Sequence, residues 1–594
     1  MQRTYYLVRL LMVLAVLAGG YVALAVHMYR LQVVRHTELY GKAKQKYTTS
    51  RTECGQRGRI FDVNGNLLAG NVACRDILAE PRRFNSSRAE IIRVLSDELD
   101  VPPGDLARRL AQADRGTRRL VEIPVKRGVD IHKAGLLAAY HFRGLRFIDN
   151  YRRYYPKGAL LANLLGFTDI DGKGAEGIEA RMDDYLRPTT GHSVFERDRR
   201  GNQLQRGTHA EKTATNGADV YLTIQEPIQQ IVEDELHALV DTFRPRAAYA
   251  VMANPKTGAV MAMAQVPTFN ANDRSTMRNP DHWRNRILSD GFEPGSVMKA
   301  PALAGALDYG VATLDSTFDC EDGYWSYCRR PLRDCHEYGM LTVREIIQKS
   351  SNIGTAKIAL AMKPGRLYQT LKRFGFGEPT GIGLEPEASG IFRRVKNWDG
   401  LSITRFPIGQ GILTTPLQLV QAYCALANDG VMMQLHVIDR TMDPETGCLQ
   451  VTLPRMKRRA VRPETARAIT SALQLVTTED GTAPKAAVEG FAVAGKTGTA
   501  QKVVNRRYSH SKYVASFIGY VPAEAPAFVL LLVADEPTRG GHYGGTIAAP
   551  TFSRISQKVL RYLQVAPAKR VLTQLPPTTE ADAYAPPETA SVVR

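Results

Sequence analysis

From Leu7 to Met28 the chain reads LVRLLMVLAVLAGGYVALAVHM, apolar apart from Arg9 and His27. About 20 such residues cross a ~30 Å hydrocarbon core at 1.5 Å per residue. This run limits everything after it, because the rest of the chain must lie on one side of a membrane. Arg3 and Arg9 flank its start and Arg30 and Arg35 its end, so the positive-inside count does not choose an orientation. Ala23-Leu24-Ala25 resembles an A-x-A cleavage site, and a removed signal peptide is the alternative reading. The apolar region is long for a signal peptide. The expectation is therefore an uncleaved anchor over 7–28, a cytoplasmic tail over 1–6, and export of the remainder.

At 594 residues the exported part is too long for one core, and two or more domains are expected. The formal net charge is +19, which suits acidic polymers or anionic headgroups. Arginine pairs such as Arg82-Arg83, Arg108-Arg109 and Arg118-Arg119 carry much of it. No nucleic-acid-binding signature accompanies them, so a solvated basic face is the better reading and no nucleic-acid partner is expected. Of seven cysteines, Cys320, Cys328 and Cys335 share one polar stretch. A disulfide among them is open, and their spacing is too wide for a zinc ribbon. Asp169-Ile170-Asp171-Gly172-Lys173-Gly174 imitates a calcium loop, but Lys173 and Ala180 occupy ligand places, so it reads as a turn. Neither a metal nor a cofactor is expected.

After the anchor, Leu31 to Lys46 reads as a polar-faced helix. Asn64-Gly65 between apolar runs signals a hairpin. Residues 86–140 carry helix-like spacing, and 141–216 is rich in Gly and short strands. Near Asp219 the texture changes to a short strand, then an amphipathic helix with Pro227 near its start. Two strand-like runs follow, AAYAVMANP and GAVMAMAQ, joined by a tight turn. From Ala566 the Pro-, Thr- and Ala-rich composition predicts a disordered tail.

Three short elements carry the chemistry. In Glu293-Pro294-Gly295-Ser296-Val297-Met298-Lys299, Pro-Gly breaks the incoming chain, which puts Ser296 at or near a helix N-terminus. The helix dipole and free N–H groups there favour a developing negative charge. Lys299 lies one turn on, on nearly the same face. A serine hydroxyl needs a base to take its proton, and a lysine serves if burial and nearby cations leave it neutral. Alone this is weak, because Ser-x-x-Lys arises by chance about once or twice in a chain of this size. It recurs at Ser509-His510-Ser511-Lys512, in a polar stretch read as a loop. The second element, Ser350-Ser351-Asn352, sits between two helix-like segments. Ser350 can relay a proton there and Asn352 can hold a substrate amide; a helix cap is the bland alternative. The third, Lys496-Thr497-Gly498-Thr499, has a strand-like context. Gly498 admits close approach of a substrate, Lys496 offers charge, and the Thr497 and Thr499 hydroxyls can hold a carboxylate. An earlier Lys256-Thr257-Gly258 follows Pro255 between two apolar runs and reads as a hairpin turn.

In this order the three elements form the signature of active-site-serine penicillin-recognising enzymes. The chain resembles a class B penicillin-binding protein, a peptidoglycan D,D-transpeptidase, from the anchor to about Leu563. The resemblance includes Arg152-Arg153-Tyr154-Tyr155-Pro156, Leu164-Leu165-Gly166-Phe167-Thr168 and Gly174-Ala175-Glu176-Gly177-Ile178-Glu179. It also includes Gly409-Gln410-Gly411, Thr415-Pro416-Leu417-Gln418 and Tyr543-Gly544-Gly545, and is nearer the septal than the elongation branch. It implies an α+β multidomain fold: an N-terminal membrane helix, an elongated β-rich pedestal over 29–216, and a transpeptidase domain over 217–565. In the last, an antiparallel sheet carries helices on both sides, and the tail is 566–594. It implies Ser296 as nucleophile, Lys299 as base, Ser350 as proton shuttle, and an oxyanion site at the Ser296 and Thr499 N–H groups. Asn352, Lys496, Thr497, Gly498 and Thr499 would bind substrate. Stem peptides and β-lactams are the implied ligands. A membrane-embedded SEDS-family glycosyltransferase and other division proteins are the implied partners, at the septum of the inner membrane. An elongation-type or specialised paralogue is the nearest alternative; a β-lactamase, a β-lactam-sensing module and a non-catalytic scaffold are more distant ones. Val63 before Asn64-Gly65, His542 in place of a frequent tyrosine, and the cysteine-bearing loop depart from the family pattern, leaving loop shape and partner contacts open.

Overall fold

The computed structural model describes residues 2–111, 122–196, 209–505 and 507–567. Helix α1 (Gln2–Tyr29) has no buried residue. With the π-helical turn Arg30–Val34 it forms the one segment among the described residues long and apolar enough to cross a membrane. The polar helix expected from Leu31 begins later, as α2 (His36–Tyr47), because the π turn intervenes.

The pedestal is built on strands β1 (Thr48–Cys54), β2 (Ile60–Phe61) and β3 (Leu67–Ala79), followed by α3 (Arg88–Leu99) and α4 (Pro103–Ala111). Next come β4 (Ile123–Asp130), α5 (Ile131–Ala139), β5 (Leu145–Tyr154), β6 (Thr190–Glu196) and β7 (His209–Lys212). The β2–β3 turn is the expected Asn64-Gly65 hairpin. Gly65 takes φ +91°, and the Asp62 carboxylate accepts from the Asn64 and Asn66 N–H groups at 2.9 and 2.7 Å. Ser87 caps α3, which buries Ile91, Leu95 and Leu99, one apolar residue per turn, against β3, β4 and α5. The expectation of helix throughout 86–140 is corrected by β4. Its pairing with β3 is a non-local contact that helical-looking spacing cannot report. The 118–119 arginine pair lies outside the described residues.

Three of the pedestal segments meet at one buried ionic node. Arg57 Nε donates to Glu179 at 2.8 Å and its Nη1 to Asp183 at 2.7 Å, while Arg153 Nε donates to Glu179 at 2.6 Å. The Tyr155 hydroxyl donates to the same carboxylate at 3.3 Å. Glu179 is fully buried, so its charge depends on these partners. Arg57→Ala is expected to destabilise the pedestal by about 1–3 kcal/mol, the usual effect of removing one charged hydrogen-bond partner, because Glu179 keeps Arg153 and Tyr155 and Asp183 keeps Arg187. Thermal unfolding of the variant beside the parent chain measures it.

Strand β8 (Asp219–Leu222) joins the pedestal to the second half of the chain. It pairs in parallel with β2 and antiparallel with Ile438–Met442, so one sheet runs through both. Helix Glu226–Phe243 follows, with Pro227 in its first turn. Then come β9 (Ala247–Ala253) and β10 (Val260–Val266). Their connection contains Lys256-Thr257-Gly258. Asn254 Oδ1 accepts from the Lys256 N–H at 2.9 Å and Gly258 takes φ +79°, so this copy is the predicted turn.

The central sheet is antiparallel, in the order β10, β9, Phe528–Asp535, Arg507–Val521, Ala494–Val504. Along Arg507–Val521, Phe517 packs on Phe552 of helix Gly544–Tyr562, while the Tyr520 hydroxyl bonds Thr470 of helix Pro463–Gln474. Residues three apart on a strand point to opposite faces, so helices cover both sides. Ser509 and Lys512, expected in a loop, lie in this long strand, their side chains exposed or half-buried. Tyr508 pairs with Val503 and Tyr513 with Gln501, so the residues between them bulge out of the ladder, and Ser509 Oγ accepts from the Ser511 and Lys512 N–H groups. Asp169–Gly174 is the expected turn, with Asp169 Oδ1 accepting from the Asp171 and Lys173 N–H groups. All seven cysteines are unpaired thiols, and Cys320, Cys328 and Cys335 do not form a disulfide. The tail beyond 567 lies outside the described residues.

Candidate active site

Ser296 lies in the 3₁₀ turn Gly295–Met298, which runs directly into helix Lys299–Asp308. Gly295 takes φ +60°, the left-handed conformation that turns the chain into the helix. The turn is held from below. The Gly295 N–H donates to Gly409 O at 3.2 Å, the Tyr423 hydroxyl to Val297 O at 2.8 Å, and the Gly411 N–H to Glu293 at 2.9 Å. A Cβ on Gly409 would stand 2.1 Å from Gly295 O. Gly409-Gln410-Gly411 is therefore the cradle of the Ser296 turn.

Lys299 is fully buried one turn after Ser296. Its Nζ donates to Ser350 O at 2.5 Å and to Ser350 Oγ at 3.1 Å. Burial pushes it down to about 8, partly offset by the Asp334 carboxylate. Roughly one such lysine in eleven is neutral at pH 7, against roughly one in 2,500 at the ordinary value. Burial of that size makes Lys299 a usable base.

Ser350 ends helix Val343–Lys349 in the left-handed region, φ +62°, and Ser351 caps helix Asn352–Arg373 by accepting from the Gly354 N–H at 3.0 Å. The cap reading holds at Ser351, while Ser350 beside it bonds the Lys299 ammonium. Asn352 Nδ2 donates to Arg333 O at 2.8 Å. One group that sequence reasoning did not single out organises the junction. The Asp334 carboxylate accepts from the Ser351 hydroxyl at 2.6 Å and from the Asn352 and Ile353 N–H groups at 2.5 and 3.2 Å. Asp334 closes the hairpin Tyr324–Tyr327/Arg330–Arg333 of the cysteine-bearing loop, so that departure from the family pattern clamps the second motif. Only the fold reveals it, since nothing periodic marks an aspartate in a polar loop. Asp334→Ala is expected to slow acylation by about 10²-fold while leaving the fold intact, as for a catalytic group displaced by ~1 Å. Stopped-flow acylation beside a circular dichroism melt separates the two effects.

Lys496, Thr497, Gly498 and Thr499 form the edge strand Ala494–Val504 beside the Ser296 turn. Lys496 is fully buried, and burial together with the Lys299 charge holds it well below the usual lysine range. Two ammonium groups do not share a dry pocket without cost. Thr497 Oγ1 meets Thr482 Oγ1 at 3.1 Å, and Thr499 Oγ1 accepts from the Gly544 N–H at 3.2 Å. A Cβ on Gly544 would fall 2.6 Å from Gly498 O, so Tyr543-Gly544-Gly545 backs the Lys496 strand at van der Waals distance. A Cβ on Gly498 would meet Pro294 O at 2.9 Å, across from the Ser296 turn. His542 stacks on Tyr513 with ring centroids 4.0 Å apart, keeping an aromatic ring at that place.

A hydroxyl opening a helix, a buried lysine of lowered basicity on that helix, a second hydroxyl bonded to the lysine, and a strand edge beside them are the groups that a serine acyl transfer needs. Two family models match the chain: the penicillin binding protein transpeptidase domain over residues 248–557 and the penicillin-binding protein dimerisation domain over 52–222. The probable peptidoglycan D,D-transpeptidase PenA of Neisseria meningitidis is 33% identical over 562 residues, 94% of this chain and 93% of the relative. Peptidoglycan D,D-transpeptidase FtsI of Escherichia coli is 31% identical over 90% of this chain and 89% of its own length. Among solved structures, penicillin binding protein 3 of Mycobacterium tuberculosis complexed with aztreonam aligns with TM-score 0.68 and 27% identity, covering 87% of this chain and 98% of that one. The chain belongs to the class B penicillin-binding proteins, peptidoglycan D,D-transpeptidases that carry a dimerisation domain ahead of the transpeptidase domain.

Proposed function

We propose that Ser296 is the nucleophile of this D,D-transpeptidase and that the enzyme works at the division septum. The observation that carries the first part is the buried Lys299 Nζ bonded to the Ser350 hydroxyl one turn from Ser296. Ser296 Oγ attacks the carbonyl of the penultimate D-alanine of a stem peptide, and neutral Lys299 takes its proton. The Ser296 and Thr499 N–H groups receive the oxyanion. The bond to the terminal D-alanine breaks, and Ser350 passes the proton to the departing amine. An acceptor amine then attacks the ester carbonyl, the crosslink forms, and the proton returns to Ser296. Asn352 holds the donor amide, and a substrate carboxylate at Thr497 and Thr499 pairs with Lys496. A β-lactam enters as donor and leaves slowly from Ser296.

In this reading residues 1–6 are cytoplasmic, 7–28 anchor the chain, 29–216 form the pedestal, 217–565 the transpeptidase domain and 566–594 a tail. The bulk of the chain lies outside the inner membrane, beside a SEDS-family glycosyltransferase and other division proteins. Likeness to FtsI supports this placement. A fluorescently tagged copy is expected to concentrate at midcell in dividing cells. A uniform sidewall signal with none at midcell overturns the septal part and leaves the chemistry standing.

A further inference from the structure

A cavity of about 500 Å³ lies behind the Ser296 turn, between the central sheet and the segment Ser289–Glu293. Glu293 is three residues before Ser296, and Ala500, on the opposite wall, lies against Gly295. The cavity therefore shares its wall with the nucleophile turn, yet no step proposed above uses it. Its size is that of a small-molecule or short-peptide site.

Most charges lining it are matched. Arg284 and Arg286 meet Asp290 at 3.2 and 3.1 Å, and Lys502 meets Asp535 at 2.8 Å. Two polar atoms are left over, one of each sign. Arg286, whose side chain is 5% exposed, has a buried Nε with no hydrogen-bond acceptor, and Glu293 has a buried Oε2 with no donor. Glu293 Oε1 is occupied by the Gly411 N–H and the Tyr508 hydroxyl at 2.9 and 3.2 Å, so its second oxygen is not spare by rotation. Burial raises the Glu293 carboxyl, and the Gly411 and Tyr508 hydrogen bonds partly offset this. A buried donor and a buried acceptor each cost free energy until a ligand satisfies them.

We propose that this cavity binds an amino-acid zwitterion, its carboxylate on the Arg284–Arg286 side and its ammonium on Glu293. Two sources share that chemistry: a free D-amino acid such as released D-alanine, or the diamino-acid arm of an acceptor stem peptide. Only the identity of these sources rests on the transpeptidase reading.

The test is isothermal titration of the full chain in detergent with D-alanine, acetate, ethylamine, and L-alanyl-γ-D-glutamyl-meso-diaminopimelate with and without Nε-acetylation. A zwitterion is expected to bind at least about tenfold more tightly than acetate or ethylamine, because each half-ligand leaves one of the two buried polar atoms unmatched. Arg284→Glu, at a half-exposed position that permits folding, and Glu293→Gln are each expected to weaken it at least about tenfold. If the peptide binds and acetylation abolishes it, the acceptor arm is the ligand. Arg284→Glu should then raise the acceptor KM while the penicillin acylation rate stays unchanged. If D-alanine binds and the peptide does not, the free amino acid is the ligand. Absence of binding by both, or acetate binding as tightly as D-alanine, overturns the proposal. Loss of penicillin labelling in the parent chain would instead overturn the transpeptidase reading.

Discussion

Ser296→Ala is expected to lower peptide crosslinking by about 10⁴-fold or more, the scale on which removal of an acyl-transfer nucleophile registers. The fold should survive. Ser296 is half-buried and, among the described residues, no side-chain hydrogen bond of its hydroxyl supports the turn, which is held instead by Gly409, Gly411 and Tyr423. Substrate affinity should survive too, because the strand Ala494–Val504 and the junction Ser350–Asn352 are untouched. The loss therefore falls on kcat, and the melting temperature stays near that of the parent. An unfolded variant, or one retaining more than about a hundredth of the activity, would contradict the assignment.

The second large effect is on the pH profile of acylation. Lys299 must be neutral to accept the Ser296 proton, and burial sets its midpoint at about 8. The neutral form increases as pH rises, so the acylation rate is expected to climb tenfold per pH unit below about 8 and to level off above it. Lys299→Arg keeps a cation that does not deprotonate in this range. It is expected to flatten the profile and slow acylation by about 10³-fold or more. Stopped-flow acylation from pH 6 to 10 measures both, and a bell centred well below 7 would assign the base elsewhere.

Much of the chemistry was legible in the sequence because it depends on order. Ser296-x-x-Lys299, Ser350-x-Asn352 and Lys496-Thr497-Gly498 are each weak alone, and the structure bonds Lys299 to Ser350 and sets Gly498 beside the Ser296 turn. The same logic separated Lys256-Thr257-Gly258, whose Pro255 and Gly258 make a local turn between β9 and β10. The long apolar helix at the N-terminus was legible from length and hydropathy. What escaped was set by contacts distant in sequence. Strand β4 exists because β3 lies beside it, and Ser509–Lys512 bulges from a long strand because the residues on either side of it are paired. Asp334 matters because a hairpin carries it to Ser351 and Asn352. The state of Lys496 follows from full burial next to Lys299, a property of the packed molecule and not of any tripeptide.

The central claim, that Ser296 carries the acyl group, is tested most directly by mapping the β-lactam adduct on the parent chain. After reaction with penicillin and proteolysis, tandem mass spectrometry should place one added acyl mass on Ser296, in the peptide containing Glu293-Pro294-Gly295-Ser296. An adduct on Ser350, Cys335 or any other nucleophile, with Ser296 unmodified, would contradict the account.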